Sequence, residues 1–275
     1  MASYLQRLGR KDAGWKRIGD ILAYNSILTS LDLGYNNLGR AGVASIGEAI
    51  ASNSTLLFLG LRHTNLGIEG GVRIANALRS NSTLTSLDLM FNQIGPKGSL
   101  PIGEALFFNS TLTSLDLTMN YIGIEAGIYI GAALCSNSTL RLLILLDTEI
   151  GPTAITRIAR ALASNSTLTC LNLGYNCIPD AGVVDVAMAL SSNTTLTELN
   201  LSCGGVCNDG ATHIAEMLAT QNCALTSLNL NNGAIHTEIR ARINWFIHRN
   251  SYNQPKKKAT LFQLLVHLIL FVDVD

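Results

Sequence analysis

One 28-residue unit recurs eight times and fills almost the whole chain. Its pattern is N-S-T-L-T-x-L-x-L-x-x-N-x-I/L-G, and the clearest copies begin at Asn25, Asn53, Asn81, Asn109, Asn137, Asn165 and Asn193. The eighth starts near Gln221 and carries one extra residue before Leu225. A fixed period of this length argues against a domain built around one central core. Each unit buries its apolar face against its neighbours, which makes a solenoid. The chain is 48% hydrophobic and only 14% charged, as expected if each unit spends most of its residues on shared core.

The third copy, 81–108, shows how a unit folds. Leu84, Leu87 and Leu89 give the spacing L-x-x-L-x-L, and the alternation of Leu87 and Leu89 points both inward from a short strand. Asn92 follows at the turn, where its amide can bond backbone groups that the bend leaves unpaired. Asn36, Asn120 and Asn176 hold the same position, while Thr64, Thr148, Gly204 and Gly233 replace it in other copies. The stretch after the turn has helical spacing, as in Val72, Ile74, Ala75 and Leu78. The next Asn-Ser-Thr is expected to end that helix with Asn in the left-handed conformation. Pro101 falls in the third helix and predicts that this helix starts late. The fold class implied is α/β: a right-handed βα horseshoe, with a curved parallel sheet on the concave face and helices on the convex face.

The run L-x-x-L-x-L-x-x-N-x-I/L-G, followed by a G-x-x-x-I/L-A-x-A-L helix, resembles the leucine-rich repeats of the ribonuclease-inhibitor class. The match runs from about Trp15 to Asn250. The resemblance implies a non-catalytic module that binds a protein on its concave face. Such repeats also occur in NOD-like receptors, in the GTPase activator of Ran and in secreted bacterial effectors, so an effector or an enzyme regulator is the alternative.

Residues between the leucines face the concave side and are not required for the fold. They form two sets. One is an apolar and aromatic band made of Tyr35, Phe58, Met90, Phe91, Met119, Leu142, Ile144, Leu146 and Tyr175, with His63 beside it. Exposed apolar groups on adjacent strands mark interaction sites, and aromatic and Met side chains are common anchors. The other set is acidic: Asp32, Asp88, Asp116, Asp147 and Glu198, against Arg62 alone. Asp88 and Asp116 are one period apart, so neighbouring strands hold them about 4.8 Å apart. Like charges that close disfavour joint ionisation, and the face suits a basic protein.

Net charge is zero, so bulk electrostatics points to no nucleic-acid partner. Motifs for phosphate loops, zinc proteases and serine hydrolases are absent, and the five histidines are scattered. No enzyme activity, metal or cofactor is expected. The six cysteines occupy scattered repeat positions and read as thiols in a reducing compartment, which with the absence of an apolar leader indicates the cytoplasm, or a host cytoplasm for an effector. No segment is long and apolar enough to span a membrane, and the chain is expected to act as a monomer.

The organisation expected is a helical cap at 1–24, repeats at 25–250, and a basic linker with an apolar tail at 251–275. Trp15, Ile18, Ile21 and Leu22 are expected to cover the first repeat. Ile239, Ile243, Trp245, Phe246 and Ile247 are expected to form the last helix. The apolar run 261–274 is expected to fold onto the last repeat.

Overall fold

The computed structural model describes residues 12–220, 222–231 and 234–252. The apolar run at 261–274 and the turn residue Gly233 lie outside them. A first helix, α1 (Asp12–Tyr24), precedes eight strand–helix units. The strands are β1 (Ser30–Asp32), β2 (Phe58–Gly60), β3 (Ser86–Asp88), β4 (Ser114–Asp116), β5 (Leu142–Ile144), β6 (Cys170–Asn172), β7 (Glu198–Asn200) and β8 (Ser227–Asn229). The helices between them are α2 (Gly39–Ser52), α3 (Gly67–Ser80), α4 (Gly95–Ala105), α5 (Gly123–Leu134), α6 (Gly151–Leu162), α7 (Asp180–Ser192) and α8 (Asn208–Thr220), and α9 (Thr237–Tyr252) closes the series.

The strands form one open parallel sheet in sequence order. Register follows the repeat: Leu59 pairs with Leu87, Leu87 with Leu115, and Leu115 with Leu143. The extra residue of the eighth copy is absorbed before β8, since Leu199 pairs with Leu228. The strands line the concave side and the helices pack outside, because a helix is wider than the strand spacing it must match.

Three leucine columns and a fourth made largely of isoleucine form the core. Leu59, Leu87, Leu115 and Leu143 are buried, as are Leu61, Leu89, Leu117 and Leu145 two residues on. Leu84, Leu112 and Leu140 close the unit from below, and Ile94, Ile122 and Ile150 from beyond the turn. Each such side chain contributes about 2–3 kcal/mol of burial. Helices approach closely where the repeat places glycine: a Cβ on Gly71 of α3 would lie 2.7 Å from the carbonyl oxygen of Gly98 in α4.

Two ladders of asparagine bind each unit to the one before it. At the helix end, Asn81 Nδ2 donates to the carbonyls of Ile50 (2.7 Å) and Asn53 (3.1 Å), and its Oδ1 accepts from the amides of Thr83 and Leu84. Asn53, Asn109, Asn137, Asn165, Asn193 and Asn222 repeat this pattern. These asparagines are extended, not left-handed: Asn53 has φ −71° and ψ 132°, and Asn193 has φ −77° and ψ 124°. The expected left-handed end is thus corrected. The carbonyls that need satisfying belong to the previous unit, and an extended Asn reaches them.

At the turn, Asn120 Nδ2 donates to Leu89 O (2.8 Å) of the previous unit and Leu117 O (3.0 Å) of its own, while Oδ1 accepts from Asn92 N (2.9 Å). Asn92 and Asn176 bridge in the same way. Asn36, in the first unit, bonds only its own carbonyls, Leu33 and Gly34. Thr64 and Thr148 keep half of this function. Their hydroxyls donate to Leu61 O (2.7 Å) and Leu145 O (2.8 Å) within their own units.

Helix α4 starts in step with its neighbours at Gly95, with Pro96 in its first turn and Pro101 inside it. The expectation of a late start fails. The proline is accommodated within the helix, which runs 11 residues beside 12 in α5 and α6.

At the first unit, Trp15 and Leu22 are buried and Ile18 is partly so, but Ile21 is 64% exposed and covers nothing. At the last, Ile243 is buried, with Ile239, Phe246 and Ile247 against the core, while Trp245 points outward at 61% exposure. Asn250 extends the helix-end ladder by one more step, its Nδ2 donating to Asn222 O (3.1 Å) and Leu225 O (3.0 Å). Among the described residues no helix is long and apolar enough to cross a membrane.

Candidate interaction surface

The backbone around the turn Asn decides what the concave face presents. In units one to seven the residue before the turn position has positive φ: Tyr35 60°, His63 53°, Phe91 57°, Met119 55°, Asp147 53°, Tyr175 57° and Cys203 52°. The residue after it does the same at Asn65, Gln93, Tyr121, Glu149 and Cys177. A left-handed non-glycine residue costs about 1–2 kcal/mol. Here the cost is offset by ladder bonds that continue past the strands, such as His63 N to Met90 O (2.9 Å) and Phe91 N to Thr118 O (2.9 Å).

That geometry lines up one side chain per unit along the edge of the sheet. Tyr35 and His63 stack at 5.6 Å between ring centroids and 27° between planes, and His63 and Phe91 at 4.8 Å and 22°. Stacked rings at this separation contribute about 0.5–1.5 kcal/mol per pair beyond area burial. Tyr35 is 68% exposed and Phe91 42%, so the stack keeps its outer edge in solvent. Met119 continues the column, half-buried, and Tyr175 stands apart from the stack, exposed. The floor beside the column holds Phe58, Met90, Leu142, Ile144 and Leu146, all half-buried. Leu146 lies over Gly174, where its Cδ1 is 3.0 Å from the position a Cβ would take.

Tyr121, which follows the turn Asn rather than lying within L-x-L, also has positive φ and is 54% exposed, a second exposed aromatic position that the L-x-L pattern does not single out.

The acidic column has a structural job. Asp88 Oδ1 accepts from Met90 N (2.9 Å) and Asp116 Oδ1 from Thr118 N (2.8 Å), as Asp32 does from Gly34 N. Asn172, Asn200 and Asn229 do the same at equivalent positions, so the bond uses an acceptor oxygen and not a charge, while Gly60 and Ile144 hold the same register with no acceptor at all. The charge is left for other uses. Asp88 Oδ2 takes Arg62 Nη2 (2.8 Å) and Nε (3.1 Å). Those bonds, joined by one that Arg62 donates to the Tyr35 hydroxyl, hold the guanidinium firmly protonated. Asp88 and Asp116 are register partners, as the period implies. Burial above all, then the Asp88 charge, raises the Asp116 carboxyl above the ordinary carboxylate range.

Asp147 is half-buried and Glu198 exposed at the far end of the same face. The Cys170 thiol lies 3.6 Å from Glu198 Oε2, and burial, reinforced by that carboxylate, pushes it up to about 11. It is therefore protonated at neutral pH and a poor nucleophile. Among the described residues no three His, Cys, Asp or Glu side chains are grouped so as to hold a metal ion.

Comparison with known proteins places this architecture. The family model described as "Leucine Rich repeat" matches residues 24–47, 80–103, 108–131, 164–187 and 192–215. Leiomodin-1 actin-binding site 2 is similar at 25% identity and a TM-score of 0.51, over 62% of this chain and 96% of that one. The leucine-rich repeat-containing protein LegL7 from Legionella pneumophila is similar at 23% identity and a TM-score of 0.51, over 80% of this chain and 71% of that one. The likeness to LegL7 is one of fold. No curated protein sequence matches.

Proposed function

Since the chain is a leucine-rich repeat protein, and so a protein-interaction scaffold, we propose that it is a non-catalytic module that grips a protein partner on its concave face. One observation carries the reading: the Tyr35–His63–Phe91 stack, open to solvent at its edge, which no requirement of the repeat explains. Rigid aromatic groups held in place before binding lose little entropy when they dock. Met90, Met119, Ile144 and Leu146 supply an adaptable apolar floor. Phe58 and Tyr175 extend the apolar contact at its margins. Negative charge left over by the turn and by Arg62 resides on Asp116, Asp147 and Glu198, which favours a basic partner and speeds its approach.

The test compares the intact chain with a Phe91→Ala/Tyr175→Ala variant as bait, with captured proteins identified by mass spectrometry. Actin is added as a defined candidate, because leiomodin-1 actin-binding site 2 is similar over nearly its whole length. A basic protein held by the intact chain and lost from the variant supports the reading. An identical catch on both baits removes the site from the concave face.

A further inference from the structure

In the seven units from α2 to α8 the residue that closes the helical segment follows a pattern, and one unit departs from it. Ser52, Ser80, Ser136, Ser164, Ser192 and Thr220 occupy equivalent positions, and each hydroxyl donates to a carbonyl three or four residues back. In the third unit that position is Phe108, 62% exposed, preceded by Phe107, 42% exposed. Six other units carry a small hydroxyl there; this one holds two partly exposed phenyl rings, a feature that packing does not explain.

Around them lies a recess of about 550 Å³ on the helical side, lined by Arg79, Glu104, Phe107, Phe108 and Tyr129. A second, of about 490 Å³, lies on the adjoining helices and is lined by Ile128, Pro152, Thr153, Thr156, Arg157 and Arg160. Tyr129 and Ile128 are consecutive on α5, so the two recesses flank that helix, one toward α4 and the other toward α6. The Arg79 guanidinium sits 4.4 Å over the Phe108 ring. Stacking of this kind uses the face of the guanidinium and leaves its N–H edge for a carboxylate. Among the described residues Arg79, Arg157 and Arg160 form no ion pair, and Glu104 is the one carboxylate lining either recess.

We propose that these convex recesses are a second docking site, for an acidic peptide segment that places a large apolar side chain between Phe108 and Tyr129 and its carboxylates on Arg79, Arg157 and Arg160. The site is on the opposite side of the sheet from the concave surface and has the opposite charge preference, so the two do not compete for one partner.

The test pans a displayed library of random dodecapeptides against the intact chain. Bound clones are then measured against Phe107→Ser/Phe108→Ser, against Arg157→Ala/Arg160→Ala, and against Phe91→Ala/Tyr175→Ala. Serine is what most units carry at the position of Phe108, and Ser191 stands at that of Phe107, so the first variant keeps the fold; circular dichroism checks this. The expected result is a consensus of Asp or Glu beside Leu or Phe, weakened about tenfold or more by either convex variant and unchanged by the concave one. A basic or uncharged consensus, no enrichment, or equal binding to the convex variants overturns the proposal. So does a dimer in sedimentation that the serine variant abolishes, which assigns the face to a second copy of this chain. Loss on the concave variant alone also overturns this site, while leaving the concave reading intact.

Discussion

Replacing Asn120 with Ala tests the idea that the turn ladder, and not only the leucine core, holds the units together. Asn120 is fully buried. Its side chain is the hydrogen-bond partner of Asn92 N (2.9 Å) in the previous unit and of Leu117 O (3.0 Å) in its own. Leu89 O also accepts from it, but keeps a second donor in Asn92 Nδ2 (2.9 Å). Alanine therefore orphans Asn92 N and Leu117 O, removes a long bond to Ile94 N (3.4 Å), and leaves Leu89 O and Thr118 O satisfied, the latter by Phe91 N (2.9 Å). At about 1–3 kcal/mol for each orphan, the loss is about 4 kcal/mol. Threonine, which serves at Thr64 and Thr148 by bonding the carbonyl of its own unit, should rescue Leu117 O but not Asn92 N, and so recover about half. Asn36→Ala should cost about 1 kcal/mol or less, because Asn36 is half-buried and bonds no previous unit. Urea unfolding followed by far-ultraviolet circular dichroism measures all three, with a constant slope as the check that one transition is compared. Hydrogen exchange at the Asn92 amide reads the broken bond directly. An Asn120→Ala variant within about 1 kcal/mol of the parent, or equal to Asn36→Ala, would refute the reasoning.

Four other outcomes follow from particular contacts. Asp116→Asn keeps the acceptor for Thr118 N and removes an acid whose pKa is raised chiefly by burial. The parent should lose stability as pH rises from the ordinary carboxylate range through that raised value, because ionisation is then more costly folded than unfolded; pH-dependent denaturation of the variant should lack this loss. Ser99→Ala should be neutral or stabilising by about 1 kcal/mol in thermal melts, since its buried hydroxyl has no hydrogen-bond partner among the described residues. Gln93→Asn, at φ 55°, should gain about 0.5–1 kcal/mol in urea unfolding, because Asn tolerates the left-handed region better. Iodoacetamide at pH 8, read by peptide mass spectrometry, should label the exposed Cys135, Cys177, Cys207 and Cys223 well before Cys170, whose thiol is pushed up to about 11.

The amino-acid pattern alone determined the period, the parallel βα architecture, the leucine columns, the turn asparagines and which residues lie between the leucines on the concave face. Those features repeat locally, and a period of two within a period of 28 admits one stacking arrangement. The tertiary structure decided everything that depends on contact across units. Whether an Asp at Asp88 or Asp116 is a charge or a turn acceptor cannot be read from one unit; the interchange with Asn172 and Asn200 acquires meaning once the acceptor bonds are seen. Tyr35, His63 and Phe91 lie 28 residues apart and stack because left-handed residues at in-register positions aim their rings along one line, a backbone uncommon for Tyr and Phe. The helix-end asparagines looked like local caps, but their amides serve carbonyls 28 and 31 residues earlier. Pro101 was read as a start signal because helix entry is where proline is cheapest; packing against α3 and α5 held the start of α4 in register, and the proline lies inside the helix instead.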